Sequence, residues 1–392
     1  MPDHRPDDIP DDTSAARAVG DGSIRVAAVL GSGTMGAQIA LSLALGGLDV
    51  RLWGRREGGL IEAHGRIDEA LDFLIAQGLA RQEDRKATLG RIRTEPDLAH
   101  AVGGARGAGS GDAGPGDAGP GGARAGDADS SGAEAGGARL GGAGFVIEAV
   151  AEDLDVKREL LARAEAVASP DAILSSTTSA LSPTDIARDL ADPSRFCVAH
   201  YAQPAHLVEL VEVVPSERTG EATVEAVTAL LTRTGKAAVR CPDVPGFLWV
   251  RIQHAVLREF ASLVGRGLVT PEACDTVLRR GYAARLPAMG AFEHADLAGL
   301  DLLNGDAAKA VWADLSNASD PAATPVGQLF AEGHTGMRSG RGFYDWRTRD
   351  ADAFRRARDE EIVRRVKIAR GGRVVLGDNG HDGHDGEGPP ED

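Results

Sequence analysis

A glycine-rich motif is the strongest chemical signal in this 392-residue sequence. It reads Gly31-Ser32-Gly33-Thr34-Met35-Gly36, a G-x-G-x-x-G between the apolar runs IRVAAVL and AQIALSLALGG. In a strand–turn–helix unit, the first glycine permits a tight turn, the second lets the backbone approach a pyrophosphate, and the third lets the helix pack on the strand. The helix N-terminus then binds the phosphates. The pattern predicts that residues 31–36 bind a dinucleotide.

The residues after the second predicted strand, LDVRLWG, bear on the choice of dinucleotide. A site for NAD usually carries Asp or Glu there, whose carboxylate accepts hydrogen bonds from the ribose hydroxyls. This chain has Gly54, Arg55 and Arg56 instead. Two guanidinium groups can pair with a 2′-phosphate, so Arg55 and Arg56 suit NADP at least as well as NAD. Because the chain has 38 Arg and only 5 Lys, two ordinary surface arginines are an equally good interpretation.

The glycine motif opens an alternation of strands and helices that continues to about residue 242. The strand-like runs are IRVAAVL, LDVRLWG, RIRTE, FVIEAV, AILSS, FCVAH, VELVEVV and AAVRC. Such alternation predicts an α/β fold with a Rossmann-type, doubly wound parallel sheet. After Pro242 the strand patterns stop, which indicates an all-α C-terminal domain. Its predicted helices cover 246–264, 271–280, 293–303 and about 350–370.

Three stretches are too polar or too rich in glycine to pack: 1–22, 103–142 and 371–392. They hold 11 of the 16 net negative charges, so the acidity belongs mainly to solubilising segments. The predicted organisation is a disordered tail at 1–22, a dinucleotide-binding domain at 23–242 with a flexible insertion at 103–142, a helical substrate and dimerisation domain at 243–370, and a disordered acidic tail at 371–392.

Composition and patterning disfavour several kinds of partner. No basic stripe interleaved with aromatics is present, so we expect no nucleic acid ligand. The first 12 residues carry five acids and lack the apolar region of a secretory signal, and no apolar run is long enough to cross a bilayer. The three cysteines are widely spaced and form no C-x-x-C pair, which argues against a disulfide framework or a zinc site. We expect a cytoplasmic protein without a metal.

From Phe145 onward the sequence resembles the 3-hydroxyacyl-CoA dehydrogenase family, and with the glycine motif the resemblance covers 24–346 apart from the insertion. Six motifs in one order carry it: VIEAVAEDLDVK, ILSSTTSALSPTDIA, the HYAQP and LVEVV block, DVPGF, GAFEHADLAGLD and GMRSGRGFYDW. The segments HYAQPAHLVELVEVVPSERT and VWADLSN are most similar to the short 3-hydroxy acid branch of that family, such as L-gulonate and carnitine dehydrogenases.

The resemblance implies a catalytic pair. The family's chemistry uses a His and a Glu twelve residues apart, which here are His200 and Glu212. Oxidation of a secondary alcohol needs a base for the hydroxyl proton while hydride leaves for the nicotinamide, and imidazole titrates near the working pH. Glu212 would orient the ring and favour the imidazolium. A purely structural role is the alternative for a single histidine, and it is our interpretation of His206, His254, His294 and His334.

Other residues match family positions one by one. Glu152 and Lys157 match positions near the nicotinamide ribose, and Ser179 matches a hydroxyl that contacts cofactor and substrate. The alternatives are an ordinary helix-start acid for Glu152, a solvated base for Lys157 and a loop cap for Ser179. Two departures concern the substrate: Gln203 and Val250 stand where the family has Asn. Gln203 retains an amide, whereas Val250 cannot donate a hydrogen bond, and loss of one such donor costs on the order of a hundredfold in rate.

The resemblance therefore predicts an NAD(P)-dependent oxidoreductase of the kind used in fatty acid metabolism. It would interconvert a 3-hydroxyacyl group on CoA or a carrier protein, or a small 3-hydroxy acid, with its 3-oxo form. Substrate is expected in the cleft between the domains, and a homodimer through the helical domain. The alternative, motivated by Gln203 and Val250, is a catalytically weak relative that binds a nucleotide or acyl thioester without efficient turnover.

Overall fold

A computed structural model describes residues 24–104 and 142–371 of the chain. The predictions for the tail at 1–22, for most of the insertion at 103–142 and for the tail after Gly371 lie outside the described residues. The chain falls into two compact units, one ending at Val250 and the other beginning at Arg251. A search of the described residues for a helix able to span a bilayer finds none.

The first unit is built on one eight-stranded sheet. Its strands are β1 Val26–Leu30, β2 Asp49–Trp53, β3 Ile92–Glu95, β4 Phe145–Glu148, β5 Ile173–Ser176, β6 Phe196–Tyr201, β7 Leu210–Pro215 and β8 Ala237–Arg240. They lie across the sheet in the order β3-β2-β1-β4-β5-β6-β7-β8. The central strands read as continuous apolar runs because helices cover both faces of a parallel sheet. This is the Rossmann-type architecture that the sequence predicts.

Seven helices accompany this sheet among the described residues. They are α1 Thr34–Leu45, α2 Glu57–Ala76, α3 Arg85–Gly90, α4 Leu98–Gly103, α5 Leu154–Glu165, α6 Pro183–Ile186 and α7 Glu221–Arg233. Asp153 caps α5 by accepting hydrogen bonds from the amides of Asp155 and Val156, which satisfies donors that a helix start leaves free. The short α3 escapes prediction because RKATLG has no apolar periodicity.

One strand pair departs from the predicted parallel arrangement: β6 and β7 are antiparallel. The link between them, residues 202–209, is shorter than the dozen or so residues that a parallel crossover requires. In the resulting register His200 lies opposite Glu212. Directly opposite residues of an antiparallel pair place their side chains on the same face. The departure therefore brings the two predicted catalytic side chains together.

The second unit is helical. Helix α8, Trp249–Gly265, begins at the end of the first unit and continues into the second. The others are α9 Pro271–Val277, α10 Ala283–Arg285, α11 Ala291–Ala298, α12 Leu300–Leu303, α13 Asp306–Asp314, α14 Pro325–Ala331 and α15 Ala351–Gly371, with a π-helical turn at Leu278–Tyr282. The all-α prediction is confirmed, although α13 and α14 were not expected. Among the described side chains of this unit, only Ala261, Cys274 and Val363 are buried.

Candidate active site

The turn after β1 can be built only with glycine. Gly31 has φ 136°, and a Cβ there would lie 2.5 Å from the carbonyl oxygen of Ala149. A Cβ on Gly36 would lie 1.8 Å from the carbonyl oxygen of Gly31, so α1 packs directly against the turn. The chain therefore passes from strand to helix within three residues, and the helix N-terminus faces the carboxyl end of the sheet.

A cavity of 440 Å³ opens in front of this helix N-terminus. Residues 31–35, 53–56 and 149–151 line it, and none of them carries a carboxylate. A Cβ on Gly33 would meet no atom within 4 Å, so this glycine leaves open space beside the first turn of α1. Free backbone donors and the helix dipole favour an anion in that space. The residues present fit the pyrophosphate of a dinucleotide.

Arg55 and Arg56 line the same cavity, directly after β2. Both side chains are exposed, and neither forms an ion pair with any residue in the described part of the chain. Their guanidinium groups are therefore available to an anionic group at this end of the cavity.

Glu152, Lys157 and Ser179 form one connected group at the ends of β4 and β5. Lys157 Nζ lies 3.2 Å from Glu152 Oε2. Glu152 Oε1 accepts hydrogen bonds from Thr178 Oγ1 (2.5 Å) and from the amide of Ser179 (3.0 Å). Partial burial raises the pKa of Glu152, but the bonds from Thr178, Lys157 and Ser179 outweigh it and bring the pKa below its ordinary value.

Lys157 also pairs with Glu148, a residue that the sequence analysis did not single out. Its Nζ lies 2.9 and 3.0 Å from the two carboxylate oxygens of Glu148. The exposed fraction is 1% for Lys157 and 0% for Glu148. A signal was present, because Glu148 ends the apolar strand FVIE, where an unpaired carboxylate would be costly.

His200 and Glu212 form a buried pair. His200 Nδ1 lies 2.8 Å from Glu212 Oε2, and the exposed fractions of the two residues are 5% and 2%. An ionised carboxylate only accepts hydrogen bonds, so the proton of a neutral ring sits on Nδ1. No residue of the described ranges hydrogen-bonds to Nε2 of His200. Its lone pair is available to take a proton.

The other oxygen of Glu212 is equally well held. Oε1 accepts hydrogen bonds from the backbone amides of Leu248 and Trp249, both at 2.9 Å, and from Cys241 Sγ at 3.4 Å. Burial raises the pKa of Glu212, but the bonds from His200, the two amides and the thiol outweigh it and lower the pKa. Glu212 is therefore ionised at neutral pH, as an orienting carboxylate must be.

The two amides come from a strained turn. Phe247, which precedes Leu248, is fully buried and has φ 46°, a conformation that a bulky residue rarely adopts. Its ring lies against the His200 imidazole, with ring centroids 5.7 Å apart. The turn also explains why α8 begins at Trp249 rather than at the predicted residue 246. The short segment 247–249 thus packs on the His200 ring and hydrogen-bonds to the carboxylate of Glu212.

The two departures from the family pattern lie on segments that also hold this pair: Gln203 follows the strand of His200, and Val250 follows the turn whose amides bind Glu212. Gln203 is exposed just beyond the end of β6, and the loop that follows is held by a bond from the amide of Ala205 to Gln38 Oε1 of α1 (3.0 Å). Val250 is partly buried, one residue after Trp249. Several groups that hydrogen-bond to the predicted site residues or to this loop could not be predicted from the sequence, because only folding brings them there. They are Gln38, Thr178, Cys241 and the amides of Leu248 and Trp249.

Comparison with known families supports this description. The model of the 3-hydroxyacyl-CoA dehydrogenase NAD-binding domain matches residues 26–106 and 132–244, and that of the C-terminal domain of the same enzymes matches 246–346. Together these ranges cover well over half of the chain.

The chain is also similar to individual dehydrogenases. The chain is 28% identical to a Mesorhizobium japonicum 5-formyl-3-hydroxy-2-methylpyridine 4-carboxylate 5-dehydrogenase, over 89% of this chain and 99% of the relative. A crystal structure under that enzyme name, described as an NAD+ dependent dismutase, has a TM-score of 0.74, with the same identity and coverage of both chains. Escherichia coli 3-hydroxyadipyl-CoA dehydrogenase is 30% identical over 83% of this chain and 60% of its own length, and the human mitochondrial hydroxyacyl-coenzyme A dehydrogenase is 29% identical over 81% and 90%. The chain belongs to the 3-hydroxyacyl-CoA dehydrogenase family and is an NAD-dependent oxidoreductase.

Proposed function

We propose that His200 is the general base in alcohol oxidation and the general acid in the reverse reduction. The observation that carries this role is the 2.8 Å contact between His200 Nδ1 and Glu212 Oε2, which leaves Nε2 as the proton acceptor. A nicotinamide cofactor, when bound, would supply the hydride acceptor. His200 takes the proton of the 3-hydroxyl group, and Glu212 stabilises the imidazolium that forms. The intact pair gives no support to the alternative of a relative that binds without turnover.

Substitution of each member of the pair tests this role. His200→Ala should lower kcat at least about 100-fold while the dissociation constant for NADH stays unchanged, because general base catalysis contributes roughly 10²–10⁴-fold. Glu212→Gln should also lower kcat strongly, since an amide can donate to Nδ1 and leave the ring proton on Nε2. The assay is absorbance decay of NADH with acetoacetyl-CoA. His64→Ala, an exposed histidine of α2, is the control, and retained turnover in His200→Ala would exclude the role.

We propose that the cofactor site consists of Gly31–Gly36 with Glu152, Lys157 and Ser179, and that Arg55 and Arg56 extend its use from NAD to NADP. Both arginines line the cavity, and no lining residue has a carboxylate that would repel a 2′-phosphate. Titration calorimetry with 2′,5′-ADP and with 5′-AMP isolates that phosphate, because the two nucleotides differ only in the 2′-phosphate. Replacing both arginines by Ala should remove any preference for 2′,5′-ADP and leave 5′-AMP binding unchanged. Equal affinities in the native chain would make these ordinary surface arginines.

We propose that the substrate is a 3-hydroxyacyl thioester on CoA or a carrier protein, or a small free 3-hydroxy acid, with Ser179 and Gln203 as its polar contacts. The 3-hydroxyacyl-CoA dehydrogenases among the relatives support the thioester. The name of the Mesorhizobium relative describes a carboxylated pyridine without CoA, which supports a free acid. Comparison of kcat/KM for acetoacetyl-CoA, acetoacetate and a formylpyridine carboxylate distinguishes these classes.

We propose a domain boundary near residue 242, a cytoplasmic location and a homodimer formed through the helical unit. The free thiols of Cys197, Cys241 and Cys274 suit a reducing compartment.

The proposed homodimer is supported by large apolar side chains of the helical unit that are highly exposed: Phe292 (89%), Trp312 (77%), Leu297 (73%) and Phe330 (72%). A second copy would cover such a surface. Sedimentation should give twice the 40.7 kDa chain mass, and Trp312→Asp should favour the monomer; a monomeric native protein would exclude the dimer.

A further inference from the structure

Lys157 has no hydrogen-bond donor to spare for a ligand. An ammonium group has three donors, and Nζ of Lys157 lies within 3.2 Å of both oxygens of Glu148 and of Glu152 Oε2. The side chain is 1% exposed. Any effect of Lys157 on a bound cofactor must therefore act through its two carboxylate partners.

Glu148 is the centre of this arrangement. Besides Lys157, its carboxylate accepts hydrogen bonds from Ser176 Oγ (2.6 Å) and from the amide of Val150 (2.5 Å). These four contacts use the full acceptor capacity of a carboxylate. Val150 lines the dinucleotide cavity together with Ala149 and Ala151. Oε1 of Glu148 thus binds the Val150 amide of the cavity wall, and Lys157 forms an ion pair with both Glu148 and Glu152.

Stability alone does not account for a buried pair of this kind. The desolvation cost of two buried charges is often as large as their attraction, and neutral side chains of similar shape can replace such pairs without loss. The pair does have a positional consequence. Without the charge of Glu148, Glu152 would be the one anionic partner of Lys157 left among the described residues. The attraction of Lys157 would then draw Glu152 away from Thr178 and Ser179.

We propose that Glu148 is a positioning residue of the cofactor site, which holds Lys157 and the Val150 amide so that Glu152 and the wall at 149–151 are prearranged for the dinucleotide. The inference rests on the proposed cofactor site, and it assigns Lys157 an indirect role. Glu148 itself is 0% exposed, so it would act on the site without touching the dinucleotide.

A double-mutant cycle tests the proposal, with the dissociation constant for NADH, measured from nucleotide fluorescence, as its readout. Glu148→Gln should weaken binding at least about tenfold, because it leaves a buried ammonium without its main partner. Lys157→Met should also weaken binding, because it leaves the buried carboxylate of Glu148 without its cationic partner. The variant with both changes has no buried charge at this place and should bind NADH more tightly than either single variant.

The matched control is Glu165→Gln. Glu165 is also largely buried, pairs with Arg195 at 3.4 Å and accepts two backbone amides, but it does not line the cavity. Its substitution should lower the melting temperature without changing the NADH dissociation constant. If Glu148→Gln fails to fold, Ser176→Ala, which removes one hydrogen bond to Glu148, provides a milder perturbation and should weaken NADH binding about threefold.

Three outcomes would overturn the inference. One is a folded Glu148→Gln variant with native affinity for NADH. The second is a double variant that binds no better than Lys157→Met, which would make Lys157 a direct ligand, and the third is native affinity in Ser176→Ala when Glu148→Gln does not fold. Failure of the native protein to bind NADH or NADPH would instead overturn the proposed function, and this inference with it.

Discussion

At the scale of single residues, Glu212 is the most completely determined side chain of the site. One oxygen orients His200, and the other accepts two backbone amides and a thiol. Each contact has a direct physical purpose, since a buried carboxylate must have its lone pairs satisfied. Together they keep Glu212 ionised and His200 in the tautomer that leaves Nε2 free.

The lowered pKa of Glu212 predicts how stability depends on pH. A depressed carboxyl pKa contributes stability above the unfolded-state pKa and loses it as the pH falls through the folded-state pKa. The ordinary value is 4.5 and the shift is downward, so the contribution should be complete above about pH 5. It should then diminish progressively as the pH falls below 4.5 and through the lower folded-state pKa. Chemical denaturation of the native protein and of Glu212→Gln at several pH values measures it. Their unfolding free energies should converge as the pH falls; parallel curves would contradict the prediction.

Val250 predicts a gain of activity. By the family resemblance, an asparagine at this position would polarise the substrate oxygen, and valine cannot donate such a hydrogen bond. A donor of this kind is worth on the order of 10²–10³-fold in kcat. Val250→Asn should therefore raise kcat for acetoacetyl-CoA at least about tenfold, with a further gain when Gln203 is also changed to Asn. Val250→Leu, which changes size without adding a donor, should give no gain. Equal rates for the Asn and Leu variants would show that another group polarises the oxygen.

At the scale of elements, the site depends on three backbone features: the glycine turn before α1, the antiparallel pairing of β6 with β7, and the turn before α8. The first was predictable, because only glycine permits φ 136° at Gly31 and the approach of Gly36 to it. The second required strand pairing that local periodicity does not specify. The third could not be predicted, because Phe247 adopts a left-handed backbone conformation that a bulky residue rarely takes.

Phe247 gives a test of that turn. Phe247→Ala and Phe247→Gly both remove the ring beside His200 and should cost about 3–5 kcal/mol of unfolding free energy. At an ordinary position the Gly variant would be the less stable by about 0.5–1 kcal/mol. Since φ is 46° here, Gly should instead be at least as stable as Ala. Urea denaturation of the two variants measures the difference, and a clearly less stable Gly variant would contradict the strained turn.

At the scale of the whole molecule, the sheet unit and the helical unit differ sharply in how they are packed. The strands at the centre of the sheet are almost entirely buried, whereas the described part of the helical unit exposes many large apolar side chains. The first unit contains its own hydrophobic core, as an independently stable domain should. The second exposes a large apolar surface, which the proposed homodimer would cover.

Deletion of residues 105–141, most of the predicted insertion, should leave the sheet unit folded. The amide of Ala143 donates to the carbonyl oxygen of Val102 at 2.8 Å, so the chain returns beside the place where it left. Joining Gly104 directly to Gly142 should leave the sheet intact. Removal of a long closed loop should raise the unfolding free energy by at most about 3 kcal/mol. A lower unfolding free energy or a changed circular dichroism spectrum would mean that residues 105–141 pack on the fold.

The amino-acid sequence by itself determined the fold class, the dinucleotide turn and the identities of the paired residues His200 and Glu212. The fold class and the turn rest on local periodicity and glycine stereochemistry, which can be read along the chain. The pair rests on the motifs by which the chain resembles its family. Only the tertiary structure decided which groups surround them: the antiparallel register, the amides of Leu248 and Trp249, and the place of Glu148 beside Lys157. These are contacts between residues distant in sequence, and they arise from packing and from the need to satisfy buried charges, which no local pattern records.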